Sequence, residues 1–166
     1  MSNGSVQEER LVSLLQREGY LDVLHGEADI KALLGLPAEC NCADVLAFKA
    51  SRLTGGDIVV AESKGTDVHH ALIQLGNAAA GALARYTTAG IRLRLLVYVP
   101  RFRQLPVGMS PGPGYLVHSG PGSSHELLDA RSETSFAARA HCVLGNPWES
   151  HNVELQRIPV EVYSEA

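Results

Sequence analysis

The sequence has no apolar run of about 18 residues, the length that marks a membrane-spanning helix, so no membrane span is expected. It also lacks a basic start followed by an apolar stretch: Met1-Ser2-Asn3-Gly4-Ser5 is small and polar, and no secretory leader is read there. There are only three cysteines, and an odd, low count argues against a disulfide framework. Together these absences predict a cytoplasmic protein. Cationic side chains are in the minority, with 14 Lys and Arg against 18 Asp and Glu and a formal net charge of -4. Proteins that grip phosphates by surface charge show the opposite balance, although local clustering can still attract a polyanion. No internal repeat is present. The Gly-rich stretches Gly112-Pro113-Gly114 and Gly120-Pro121-Gly122 lack the lysine and spacing of a phosphate loop. Ser123, Ser124, His125 and Glu126 adjoin one another only in sequence, whereas a nucleophile and its base must meet in space.

What is there is an ordinary globular composition. Hydrophobic residues make up 45% and charged residues 19% of 166 positions, enough for one domain with a sizeable core. The whole chain is therefore read as a single domain. Its core lies at about residues 5–100. A loop-rich elaboration over about 101–166 follows, where prolines and glycines interleave.

A helix is predicted over residues 5–18, with Ser5-Val6-Gln7-Glu8 as a capping box, Leu11, Leu14 and Leu15 as the apolar stripe and Gly19 as the stop. A short helix over 28–34 precedes the break at Leu36-Pro37. The first strand falls either near 20–24 or closer to Pro37. Residues 43–49 and 57–64 read as strands, joined by a segment that ends in the turn chemistry of Gly55-Gly56. Residues 67–86 read as an alanine-rich helix and 91–99 as a central strand apolar on both faces. The strand, helix, strand order from 57 to 99 predicts a parallel crossover. Further on, a strand is predicted at 115–118, a helix at 127–141 and a strand at 153–163 that Pro159 breaks or makes an edge.

The candidate chemistry sits at the end of the second hairpin strand. Strand side chains alternate between faces, so Ile58, Val60, Glu62 and Lys64 share one face, apolar at first and then ionic. Asp44, Leu46 and Phe48 share a face of the preceding strand. An antiparallel hairpin centred near Leu53 puts Lys49 opposite Asp57, a favourable cross-strand match, and Asp44 opposite Glu62, two carboxylates about 5 Å apart. Their repulsion is about 3 kcal/mol at an effective dielectric near 20, and a divalent cation would convert that cost into a binding site. A tighter turn at Gly55-Gly56 would shift the register and separate them.

Asp44 followed by Glu62-Ser63-Lys64 resembles the signature of the PD-(D/E)XK nuclease superfamily, over roughly residues 5–100. The resemblance implies an α/β restriction-endonuclease-like fold: a central mixed sheet with an αβββαβ core and a C-terminal loop-rich extension. It implies metal-dependent hydrolysis of phosphodiester bonds. Asp44, Glu62 and the Ser63 carbonyl would hold Mg²⁺ or Mn²⁺, and Lys64 would orient the attacking water. Gln74 would be an auxiliary residue, at the place where the RecB-like branch carries a glutamine. Two positions depart from the pattern: Ala43 precedes Asp44 in place of proline, and Ala78 stands where that branch has tyrosine. Glu8 is the position matching a first-helix acid of some members, with helix capping as its simpler role. The implied partner is nucleic acid, DNA before RNA, with a homodimer as the simplest assembly.

Alternatives stand beside this reading. The domain would keep the nuclease scaffold and serve as an immunity or regulatory binding module, since scaffold and activity are separable. Alternatively, an unrelated α/β domain would carry the Glu-x-Lys by coincidence. Arg85, Arg92, Arg94, Arg101 and Arg103, with Lys49 and Arg52, form either a backbone-tracking groove or a set of solvated strand ends. Cys40, Cys42, His141 and Cys142 have zinc-ligand chemistry without a common zinc spacing. His69-His70 lie close to Lys64 in sequence and would either contact phosphate or assist proton transfer, or simply form a solvated helix start.

Overall fold

The computed structural model describes residues 3–63, 71–86, 90–99, 115–119, 125–128, 158 and 160–164. In chain order the elements are α1 (Asn3–Arg17), β1 (Asp22–His25), α2 (Glu27–Leu34), β2 (Val45–Phe48), β3 (Asp57–Ser63), α3 (Ala71–Arg85), β4 (Arg92–Tyr98), β5 (Tyr115–Ser119), β6 (His125–Leu128) and β7 (Val160–Ser164). The fold is α/β, with one mixed sheet in the order β1-β2-β3-β4-β7-β5-β6. β1, β2 and β3 are antiparallel neighbours, β3, β4, β7 and β5 run parallel, and β6 turns back against β5. The four parallel strands thus end on one edge of the sheet.

Alternation along the strands builds two cores, one on each face. Leu46, Phe48, Ile58, Val60, Leu95 and Val97 pack under α2 and α3. Val45, Ala47, Val59, Ala61, Leu96 and Tyr98 pack under Leu11, Leu14 and Leu15 of α1. The alanines of α3 let it lie close on β3 and β4; Leu75, Ala78, Ala79 and Ala82 are all fully buried.

The β2–β3 hairpin has the register expected from its charges. Val45 pairs with Ala61 and Phe48 with Ile58, and Lys49 N–H donates to the Asp57 carbonyl at 3.0 Å. Gly55 and Gly56 take φ of 81° and 84°, left-handed values open to glycine at little cost. α1 ends where expected: Gly19 has φ 98°, its N–H donates to the Gln16 carbonyl, and Tyr20 N–H donates to that of Leu15, a Schellman closure.

Several expectations are corrected. The helix starts at Asn3, so Ser5 lies inside it and is not its cap. Residues 125–128 form a strand, so the helix predicted from 127 does not start there; positions 129–141 lie outside the described residues. The last strand begins at Val160, after Pro159, and sits between β4 and β5 rather than at an edge. Cys40 is disulfide-bonded and Cys42 is a buried free thiol. An odd cysteine count is compatible with a bridge and one thiol left over, and a bridged Cys40 cannot serve as a zinc thiolate. Among the described residues no helix is long and apolar enough to cross a membrane.

Candidate metal site at the carboxyl end of the sheet

The hairpin register extends one step past the Val45–Ala61 pair. Because Val45 faces Ala61, Asp44 comes opposite Glu62. The Lys49–Asp57 hydrogen bond fixes which pairs exchange bonds, and hydrogen-bonded pairs alternate with non-bonded ones. Asp44 and Glu62 fall on a non-bonded pair, where side chains come closest. Both lie on the α3 face, in line with Leu46 and Phe48 on β2 and with Ile58 and Val60 on β3.

Their environments differ. Glu62 is 1% exposed, whereas Asp44 is half-buried. The Asp44 Oδ2 accepts the Ser63 N–H at 3.2 Å, filling the place that Ala43 would hold if the ladder continued. Its own carbonyl accepts the Gly26 N–H at 3.1 Å. Asp44 therefore locks the ends of β1, β2 and β3 together. A carboxylate has about four acceptor positions on its two oxygens, so this bond leaves capacity for a further ligand. N–H and C=O of one strand residue point the same way, and the Ser63 carbonyl accordingly looks toward β2 and Asp44. Burying a carboxylate as deeply as Glu62 is costly unless charge or hydrogen bonds offset it.

Around this point the loop before β2 is held from two sides. Asn77 on α3, buried at 1%, donates to the Asn41 carbonyl at 2.7 Å. Cys42 N–H donates to Glu27 Oε1 at 3.1 Å. Burial pushes the Cys42 thiol up to about 12, with the nearby Glu27 and Glu62 charges adding to the rise and a backbone hydrogen bond opposing it. The thiol stays protonated at neutral pH and is a poor metal ligand. On the opposite face, α1 reaches the same sheet end. Gln7 Oε1 accepts from Ser63 Oγ at 3.1 Å, and Glu8 Oε2 lies 2.8 Å from His25 Nε2.

Of the residues singled out by sequence, the structure brings Asp44, Glu62 and Ser63 to one place. Gln74 is half-buried, one turn before Asn77 on the same side of α3, the side that holds the loop before Asp44. Lys64 lies outside the described residues, as do His69, His70, Arg101, Arg103, His141 and Cys142. Glu8 is inside α1 and pairs with His25, so it is not a cap. Asn77, Gln7, Glu27 and His25 were not expected to take part. Only Asn77 carried a signal, as a polar residue among the buried alanines of α3.

Among the described residues, two of the basic side chains singled out by sequence are held in ion pairs. Arg52 binds Asp22 through Nε at 3.0 Å and through its backbone N–H at 2.8 Å. Arg94 forms a two-pronged pair with Glu161, both contacts at 2.7 Å, and also reaches Glu18 at 2.9 Å. Lys49 lies 5.5 Å from the centre of the Tyr20 ring. Arg85 ends α3 and Arg92 opens β4, at the sheet edge opposite Glu62.

The donor set is two carboxylates and a main-chain carbonyl, all hard oxygen. It fits Mg²⁺ or Mn²⁺, which keep several waters and need few protein ligands. Among the described residues no group of three or more His, Cys, Asp or Glu side chains converges as a metal site. Compared with protein-family models, with curated proteins and with solved structures, the chain matches none.

Proposed function

We propose that the chain is a divalent-metal-dependent nuclease with a restriction-endonuclease-like core, hydrolysing phosphodiester bonds of DNA or RNA. The observation that carries this reading is the hairpin register, which sets Asp44 opposite a deeply buried Glu62 at the carboxyl end of the parallel strands. Ligands of open α/β sheets collect outside that edge. The order α1, β1, β2, β3, α3, β4, with α2 interposed, is compatible with the αβββαβ core.

In this reading Asp44, Glu62 and the Ser63 carbonyl hold Mg²⁺ or Mn²⁺. The bound ion would lower the pKa of water and offset charge on the phosphate. Lys64, two residues beyond Glu62, supplies an ammonium to orient the attacking water and to steady the phosphate. Gln74 assists from α3. Asn77 and Glu27 keep the Asp44 loop in place, a positioning role. The test is incubation of purified protein with DNA and with RNA, in Mg²⁺, Mn²⁺ or chelator. Cleavage should require metal and should vanish in Glu62→Ala; cleavage that survives the substitution sinks the assignment.

A second reading is favoured by one observation. Arg52 and Arg94 are spent on internal ion pairs, and the net charge is -4. A nuclease-like scaffold that binds a protein partner would have this surface. Calorimetric Mn²⁺ titration separates the two, because the scaffold reading expects no heat of binding.

A further inference from the structure

Among the described residues β1 is an edge strand, with β2 on one side only. Gly26 N–H donates to the Asp44 carbonyl at 3.1 Å. N–H and C=O of one strand residue point the same way, and the direction alternates along the strand. Asp22, Leu24 and Gly26 therefore turn their main-chain groups toward β2, whereas Leu21, Val23 and His25 turn theirs outward. Leu21 is 82% exposed and His25 is exposed as well, so both ends of this row are open. We infer that this edge pairs with the same edge of a second copy of the chain, joining the two sheets about a two-fold axis.

The strand lacks the devices that keep sheet edges apart. Native edges are blunted by lysine, proline, bulges or exposed charge. From Leu21 to His25 there is no lysine, no proline and no bulge. Its one carboxylate, Asp22, accepts from Arg52 Nε at 3.0 Å and from the Arg52 backbone N–H at 2.8 Å. That charge is answered within one copy and does not repel the other. The same contact brings the hairpin tip, with Leu53 84% exposed, to the end of β1 where Leu21 lies. These two leucines are the most exposed large apolar side chains among the described residues.

Register selects the occupant. A two-fold axis perpendicular to the sheet makes the two edge strands antiparallel and keeps each side chain on its own face. With the axis at Val23, Val23 faces itself and Leu21 faces His25 of the second copy. All three outward residues then meet outward residues. Each facing pair exchanges two N–H···O=C bonds, about six in all. On the α1 face the contact joins two β-branched valines and lays each Leu21 beside an imidazole; on the other face Asp22 meets Leu24. No like charges come opposite one another. A strand this short makes a contact below the standard interface size, so the dimer is a weak one that fills at high concentration. The inference does not rest on the nuclease reading.

The test is sedimentation velocity of the full chain from about 10 µM to about 1 mM, the range in which weak complexes assemble, together with amide hydrogen exchange. The mass should climb from that of one chain toward that of two. Over the same range the amides of Leu21, Val23 and His25 should gain protection, whereas that of Leu24, already turned to β2, should not change. Leu21→Lys alters an exposed side chain and should leave the fold intact, as circular dichroism can check. Val23→Pro removes an outward N–H without touching the β2 ladder. Each should raise the dissociation constant about tenfold or more. Ala84→Lys, on the exposed side of α3, should associate as wild type does. A chain that stays monomeric up to about 1 mM overturns the inference, even where an added extended apolar peptide protects those amides instead. So does a dimer that both variants leave intact, or one that forms without protecting Val23.

Discussion

Arg94→Ala separates a structural arginine from a nucleic-acid contact. Arg94 donates to both oxygens of Glu161 at 2.7 Å, to Glu18 at 2.9 Å and to the Tyr20 hydroxyl at 3.0 Å. Its own pKa is raised, chiefly by the Glu161 hydrogen bonds. The network joins the end of α1 to β4 and β7 across the sheet. The Glu161 side chain is 11% exposed, whereas those of Arg94 and Glu18 are 31% and 34% exposed. Breaking a fully buried pair from one side costs about 3–5 kcal/mol; partial exposure of Arg94 brings the Glu161 arm to about 2–3 kcal/mol. The Glu18 arm behaves as a surface pair, worth about 0–1 kcal/mol. The sum is about 3 kcal/mol, or a Tm lower by about 6–12 °C for a chain of this length. The assay is thermal unfolding by circular dichroism at neutral pH, repeated for Glu161→Met and for Arg94→Met/Glu161→Met. The double variant should recover most of the loss, because no charge is left buried without its partner. If Arg94→Ala melts within about 1 °C of wild type while losing affinity for nucleic acid, the structural account of this residue is refuted.

Three further perturbations test other parts of the structure. Gly55→Ala should destabilise by about 2 kcal/mol in urea unfolding, because a Cβ there would lie 2.9 Å from Tyr86 Cδ1 at a φ of +81°. Hydrogen bonds from Arg52, and to a smaller extent its charge, hold the Asp22 carboxyl below the usual carboxylate range. The stability it contributes is present above its unfolded pKa near 3.8 and is lost as pH falls through the lower folded value. Asp22→Asn should cost about 1 kcal/mol at pH 7 and flatten the acid limb of the stability profile below about pH 4. Asn77→Ala removes the 2.7 Å bond to the Asn41 carbonyl and should cost about 1–2 kcal/mol; it should also weaken Mn²⁺ binding at Asp44 several-fold, measured by calorimetry.

What could be read from sequence was local. The hairpin register was legible because three signals agreed: alternating apolar residues, a Lys49–Asp57 charge match and glycines where φ must be positive. β4 was legible as a strand apolar on both faces. By contrast, nothing near Val160 says that it inserts between β4 and β5, since parallel pairing joins segments distant in sequence. Pro159 suggested an edge, whereas β7 lies inside the sheet. The partners of the arginines were equally hidden. Arg94 and Glu161 are 67 residues apart, so sequence spacing gave no sign of their ion pair. The site was legible where it depends on strand parity, as for Asp44, Glu62 and Ser63. It was not legible where it depends on helix docking, as for Asn77 against Asn41 and Gln7 against Ser63.

The most direct measurement of the central claim is a calorimetric Mn²⁺ titration of wild type, Asp44→Asn and Glu62→Gln. If the two facing carboxylates form an ion site, wild type binds one Mn²⁺ and each variant loses that binding while remaining folded. A wild type that takes up no Mn²⁺, or variants that bind it as tightly as wild type, would contradict the account.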